Sequence, residues 1–146
     1  MMDNKLIEIA VNESEDMIRE LMAAADRLAA AIEAETTIRR MLKEAEQGLE
    51  AAEAELIYDL ELQAQDKAGP LAGLAKTGPA YKAALTNVLA QERQNGGPLG
   101  DLSRQVEQLR TQLDQAQIER EQMAVHFSAC KHAADLKAAV LKAMVM

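Results

Sequence analysis

The sequence predicts an all-α fold: a long antiparallel helical hairpin of the coiled-coil kind, with a short helix in its connection, completed to a helical bundle by self-association. Three observations lead there. Residues 17–66 contain one Gly and no Pro and keep a heptad register. Residues 69–100 contain six of the seven glycines and all three prolines, and a second heptad stretch follows from residue 101. With 146 residues, 49% of them hydrophobic, the chain reads as a single helical domain.

In the first stretch Leu21, Leu28, Glu35, Leu42, Leu49 and Leu56 recur every seven residues, with Met17, Ala24, Ala31, Ile38, Ala45 and Ala52 at the companion seam position. One position is large and the other mostly Ala, so a partner helix can approach closely. Asn12 followed by Glu15 resembles a capping box, which starts the predicted helix at residue 12 and carries it to residue 67. Residues 1–11 are expected to be flexible or briefly extended. Leu6, Ile7, Ile9 and Val11 suit a short strand, although Ile7 and Ala10 also continue the heptad backwards. Glu35 puts a carboxylate on the seam, and Gly48 costs about 1 kcal/mol against Ala.

Gly69-Pro70 ends this helix, because Gly caps a helix C-terminus and Pro cannot continue the hydrogen-bond ladder. The connection, residues 68–100, carries a repeated turn: Gly69-Pro70-Leu71 with Leu74, and Gly97-Pro98-Leu99 with Leu102. Between the two turns a short helix is predicted over 79–95. Pro79 opens it, as Pro is well tolerated at the first helical position, and its apolar face is Tyr81, Leu85, Val88 and Leu89.

A second long helix is predicted over 101–144. Its seam reads Leu102, Val106, Leu109, Leu113, Ala116, Arg120, Met123, Phe127, Cys130, Ala134, Lys137 and Leu141. If residue 67 lies beside residue 101, antiparallel pairing sets Leu113 by Leu56, Phe127 by Leu42, Arg120 by Gly48 and Lys137 within a turn of Glu35. On that register residues 12–23 overhang without an intramolecular partner. Off the seam stand Met22, Ile32, Leu60 and Leu62 on the first helix and Ile118, Val125, Leu136 and Val140 on the last. Left bare, these would form a larger apolar stripe than soluble monomers show, so a homodimer or higher homo-oligomer is expected. Its interface is assigned to Ile18, Leu21, Met22, Ile32, Ile118, Val125, Leu136 and Val140.

The formal net charge of −8 is concentrated in residues 1–68, which carry 17 acidic and 7 basic side chains. That sign disfavours nucleic acid or anionic lipid as a partner of the whole surface. Cys130 is the single cysteine, so no internal disulfide framework exists, and a reducing, cytoplasmic setting is expected. No basic and apolar leader opens the sequence and no window approaches the roughly 20 apolar residues of a membrane span.

Sites of chemistry are few. His126 and Cys130, four apart, share a helical face as zinc ligands would, but His132 points elsewhere and no fourth ligand is near; Cys130 reads better as a small apolar seam residue. No Glu-x-x-His pair is present and two close-packed helices rarely form a pocket, so neither catalysis nor a cofactor nor a metal is expected. The connection is the best candidate surface for a protein partner. Between Asp66 and Glu92 it has no acidic residue, while Lys76 and Lys82 stand beside Leu71, Leu74, Tyr81, Leu85 and Leu89. The first use of those leucines is a small cap core over the hairpin end; docking a partner, or touching a nucleic-acid strand, comes second. Together these features point to a non-catalytic interaction or assembly protein acting as scaffold or adaptor. The alternatives are an accessory factor in the nucleic-acid metabolism of a mobile element, or an acidic nucleic-acid mimic that inhibits a binding protein.

Overall fold

The computed structural model describes residues 4–145. These form three helices and no strand: α1 (Asn4–Gln65), α2 (Pro79–Gln94) and α3 (Pro98–Val145), and 89% of the described residues are helical. α1 packs against α3, giving the all-α hairpin with a short connecting helix that the sequence predicts. The chain divides into two compact units, one built from residues up to Ile38 and from Leu113 onward, the other from Arg39–Gln112.

The unit Arg39–Gln112 contains both hydrophobic clusters found among the described residues. In the first, Ala45, Val106 and Leu109 are buried, with Leu42 and Leu49 packed on them, and all five are seam positions of the heptad. In the second, Leu60, Leu71 and Tyr81 are buried and Leu56, Leu74, Leu85 and Val88 close around them. The last turns of α1 are therefore covered by the connection and α2, and Leu60 belongs to this cap rather than to an exposed stripe. The repeated turn has a structural meaning too: the Leu after each Gly-Pro, Leu71 and Leu99, is buried.

α1 ends in a Schellman motif whose left-handed residue falls two residues before the predicted glycine. The Ala68 N–H donates to the Gln63 carbonyl and the Lys67 N–H to the Ala64 carbonyl, with Lys67 in the left-handed region at φ 59°. Gly69, at φ 82°, turns the chain next and is not itself the cap. α2 starts at Pro79 as predicted and closes at Gln94, its Asn95 N–H returning to the Gln91 carbonyl. α3 begins at Pro98 rather than residue 101, since Pro occupies the first helical position here as well. Gly100 is required by close approach: a Cβ there would overlap the Asn95 carbonyl oxygen.

The register differs from the expected one. In this unit Gly48 faces Leu102, with 3.8 Å between the Leu Cδ2 and the place a Cβ would take, whereas the sequence placed Leu102 near the end of α1. Arg110 reaches Glu46 at 3.5 Å. The cause is the cap. Because α2 and Leu71 occupy the surface around Leu60, α3 cannot start opposite residue 67 and pairs instead with an earlier part of α1.

In the other unit the seam is where the heptad put it, with Met17, Leu21, Ala24, Leu28, Ala31, Glu35 and Ile38 of α1, and Leu113, Ala116, Arg120, Met123, Phe127, Cys130, Ala134, Lys137 and Leu141 of α3, all wholly or partly buried. Arg120 stands opposite Glu35, not Gly48, and donates to its carboxylate, while Lys137 bonds Glu13 at 2.6 Å instead of approaching Glu35. The shifted register removes the expected overhang: Ala10 is buried, and residues 4–11 are helix rather than flexible or extended chain. Ile7 and Ala10, which continue the heptad, outweigh the capping signal at Asn12, now an interior helical residue.

Glu35 is the only buried charged residue among those described, 7% exposed, and its side chain is far less exposed than that of Arg120 (9% against 36%). Arg120→Ala should destabilise the fold by about 1–3 kcal/mol in urea unfolding, less than for a fully buried pair because the guanidinium is partly solvated. Glu35→Leu combined with Arg120→Leu should be neutral or stabilising, since two apolar residues then fill a seam already lined by Leu and Ala.

Candidate functional site

Two surfaces merit description as sites, one in each unit. The first is the cap. Glu61, the residue after buried Leu60, points into the connection, where it accepts a hydrogen bond from the Tyr81 hydroxyl at 3.1 Å and lies 3.9 Å from the Lys76 ammonium. Around them Ala64, Gln65, Leu71 and Leu74 complete a cavity of about 210 Å³. Burial, then the hydrogen bond to Glu61 and the negative charge of Glu61, push the Tyr81 hydroxyl above its ordinary value of 10.0.

Of the connection residues proposed to meet a partner, Leu71 is 1% exposed and Tyr81 9%. Both are committed to the cap core, with Leu74 and Leu85 packed against them, and Leu89 is half-buried. Lys76 and Lys82 are exposed, but Lys76 is drawn to Glu61. What the sequence did not reveal is Glu61, whose part depends on which residues α2 lays over the end of α1.

The second surface is the outside of the helix pair in the unit containing both chain ends. Ile18, Met22 and Ile32 of α1 and Ile118, Val125, Leu136 and Val140 of α3 are all exposed, Met22 at 64% and Val125 at 70%. Leu21, assigned to the same interface, is half-buried in the seam. On one flank the two helices form shallow grooves, lined by Glu20, Ala23 and Arg27 with His126, and by Arg27, Ala30 and Ala34 with Glu119 and Met123. Ile18, Met22 and Ile32 take no part in these grooves; their heptad positions put them on the opposite flank of α1. On α3, Ile118, Glu121, Gln122, Val125, His126 and Ala129 line a shallow groove formed by that helix alone, and the heptad positions of Ile118, Gln122, Val125 and Ala129 put them away from the seam.

His126 Nε2 lies 3.7 Å from Cys130 Sγ on one helical face, and His132 is not with them. Among the described residues no three His, Cys, Asp or Glu side chains gather as a metal site would require, and no helix is long and apolar enough to cross a membrane. No family model, curated protein or solved structure matches this chain.

The cap can be tested through Tyr81. A hydroxyl whose value is raised on folding favours the folded state while protonated, so its contribution is complete below pH 10.0 and is lost as pH rises through the folded value. Phenolate absorbance of a Tyr58→Phe variant should show Tyr81 ionising above 10.0. Glu61→Gln should bring that midpoint down.

Proposed function

We propose that this chain is a non-catalytic coiled-coil interaction and assembly protein, a scaffold or adaptor that works in the cytoplasm as a homodimer or higher homo-oligomer. One observation carries this: among the described residues, the helix pair of the unit containing both chain ends leaves eleven large apolar side chains exposed, Ile18, Met22, Ile32, Ile118, Val125, Leu136 and Val140 along its length and Leu6, Ile9, Val11 and Val145 toward the chain ends. Its buried residues are mostly alanines, Ala10, Ala24 and Ala116. A pair that buries little and exposes Ile, Val, Leu and Met along regular helical rows is suited to meeting other helices. The protein partner is taken up by the same unit, because the leucines of the connection are used by the cap.

Light scattering after size exclusion should give twice the chain's 15.9 kDa or more; a stable mass at 15.9 kDa would refute self-association. For the adaptor role, capture from the native host should retain a protein that Met22→Glu with Ile32→Glu no longer retains. Salt-dependent retention on single-stranded DNA would instead favour the accessory factor in nucleic-acid metabolism.

A further inference from the structure

We infer that the outward stripe of α3 is the self-association surface, and that its occupant is the same stripe of a second copy, packed antiparallel about a two-fold axis near Ala129. This rests on the proposal of self-association above and specifies its interface. The stripe runs Ile118, Val125, Ala129, Ala133, Leu136 and Val140, with the polar Gln122 within it and Glu121 and His126 beside it, and extends about 33 Å at 1.5 Å per residue. Its four large members are each at least half exposed, Val125 most of all.

Two features select a second copy in reversed orientation. Reversal about Ala129 matches the stripe to itself: Ile118 comes opposite Val140, Gln122 opposite Leu136 and Val125 opposite Ala133, while Ala129 meets Ala129 and lets the helices approach closely. Charge agrees with this. Apart from the seam residues Arg120 and Lys137, which are paired with Glu35 and Glu13, α3 within the unit carries Asp114, Glu119 and Glu121 before Ala129, and Lys131 and Lys142 against Asp135 after it. Antiparallel copies lay a half of net −3 over a half of net +1, and a parallel pair would set like on like.

The α1 stripe does not serve the same purpose. Residues 4–38 hold eight acidic and three basic side chains, so two copies of Ile18, Met22 and Ile32 would meet through mutually repelling surfaces. One helix face of this length is at the small end of stable interfaces, which makes association concentration-dependent.

The test has two parts. In light scattering across a concentration series, Val125→Glu should weaken association at least about tenfold and Met22→Glu should leave it unchanged, with circular dichroism showing both variants helical; a tenfold loss corresponds to about 1.4 kcal/mol of binding free energy. In a Cys130→Ala background, oxidation should link Ala129→Cys to itself, and should link Ile118→Cys only when mixed with Val140→Cys. A wild-type chain that stays at 15.9 kDa throughout overturns both self-association and this interface. Association broken by Met22→Glu but not Val125→Glu overturns the interface and leaves self-association standing. Linkage of Ile118→Cys to itself overturns the antiparallel orientation.

Discussion

Packing of Leu71 and Tyr81 on Leu60 determines where the two long helices of this protein can meet. Leu71 is the most completely buried large side chain among those described, and it arrives there because Gly69 and Pro70 turn the chain back at the end of α1. With α2 laid over the same turns, the surface of α1 that would otherwise receive the start of α3 is already covered. α3 then begins beside the middle of its unit's α1 segment, where Gly48 admits Leu102. The cap is thus more than an end piece: by occupying three turns of helix it selects one antiparallel alignment from several that the heptads allow.

Those several alignments explain why Glu35 and Arg120 matter. A seam that alternates Leu with Ala looks much the same after a slide of one heptad, so apolar burial alone distinguishes neighbouring registers weakly. A carboxylate on the seam is different, because an alignment that brings a cation to it compensates a buried charge as apolar neighbours do not. Arg120 is the seam cation that meets it, and Lys137, the other, finds Glu13. The two polar contacts act as markers of alignment and add little to gross stability.

Much of this fold was legible in the residues, and the exceptions share a cause. Every predicted seam position described in the unit with both chain ends is wholly or partly buried, since heptad spacing is a local property of one helix. Pro79 and Pro98 mark helix starts for an equally local reason. The pairing of α1 with α3 is not local. It depends on how much of α1 the connection covers, which no spacing within either helix encodes, and so Arg120 was set by Gly48 and residues 12–23 were left without a partner. The helix over residues 4–11 follows from the same miss, because a segment with a partner has reason to continue its helix. On the surface, the exposed Ile, Met, Val and Leu residues were identifiable as off-seam positions, whereas Glu61 was not, since its contacts come from a different helix.

The uneven distribution of burial has a dynamic consequence. Both hydrophobic clusters lie in Arg39–Gln112, while in the other unit the buried apolar residues described are alanines, Ala10, Ala24 and Ala116, and the larger seam side chains are only partly buried. Local opening is governed by how much apolar contact must be broken. Backbone amides of α1 before Ile38 and of α3 after Leu113 will therefore exchange with solvent deuterium through frequent partial separations of the two helices, and those around Leu60, Val106 and Leu109 only in the rarest openings. Whatever binds the outer stripes would slow the first group selectively, so the molecule reports its own occupancy in the exchange rates of one half of its chain.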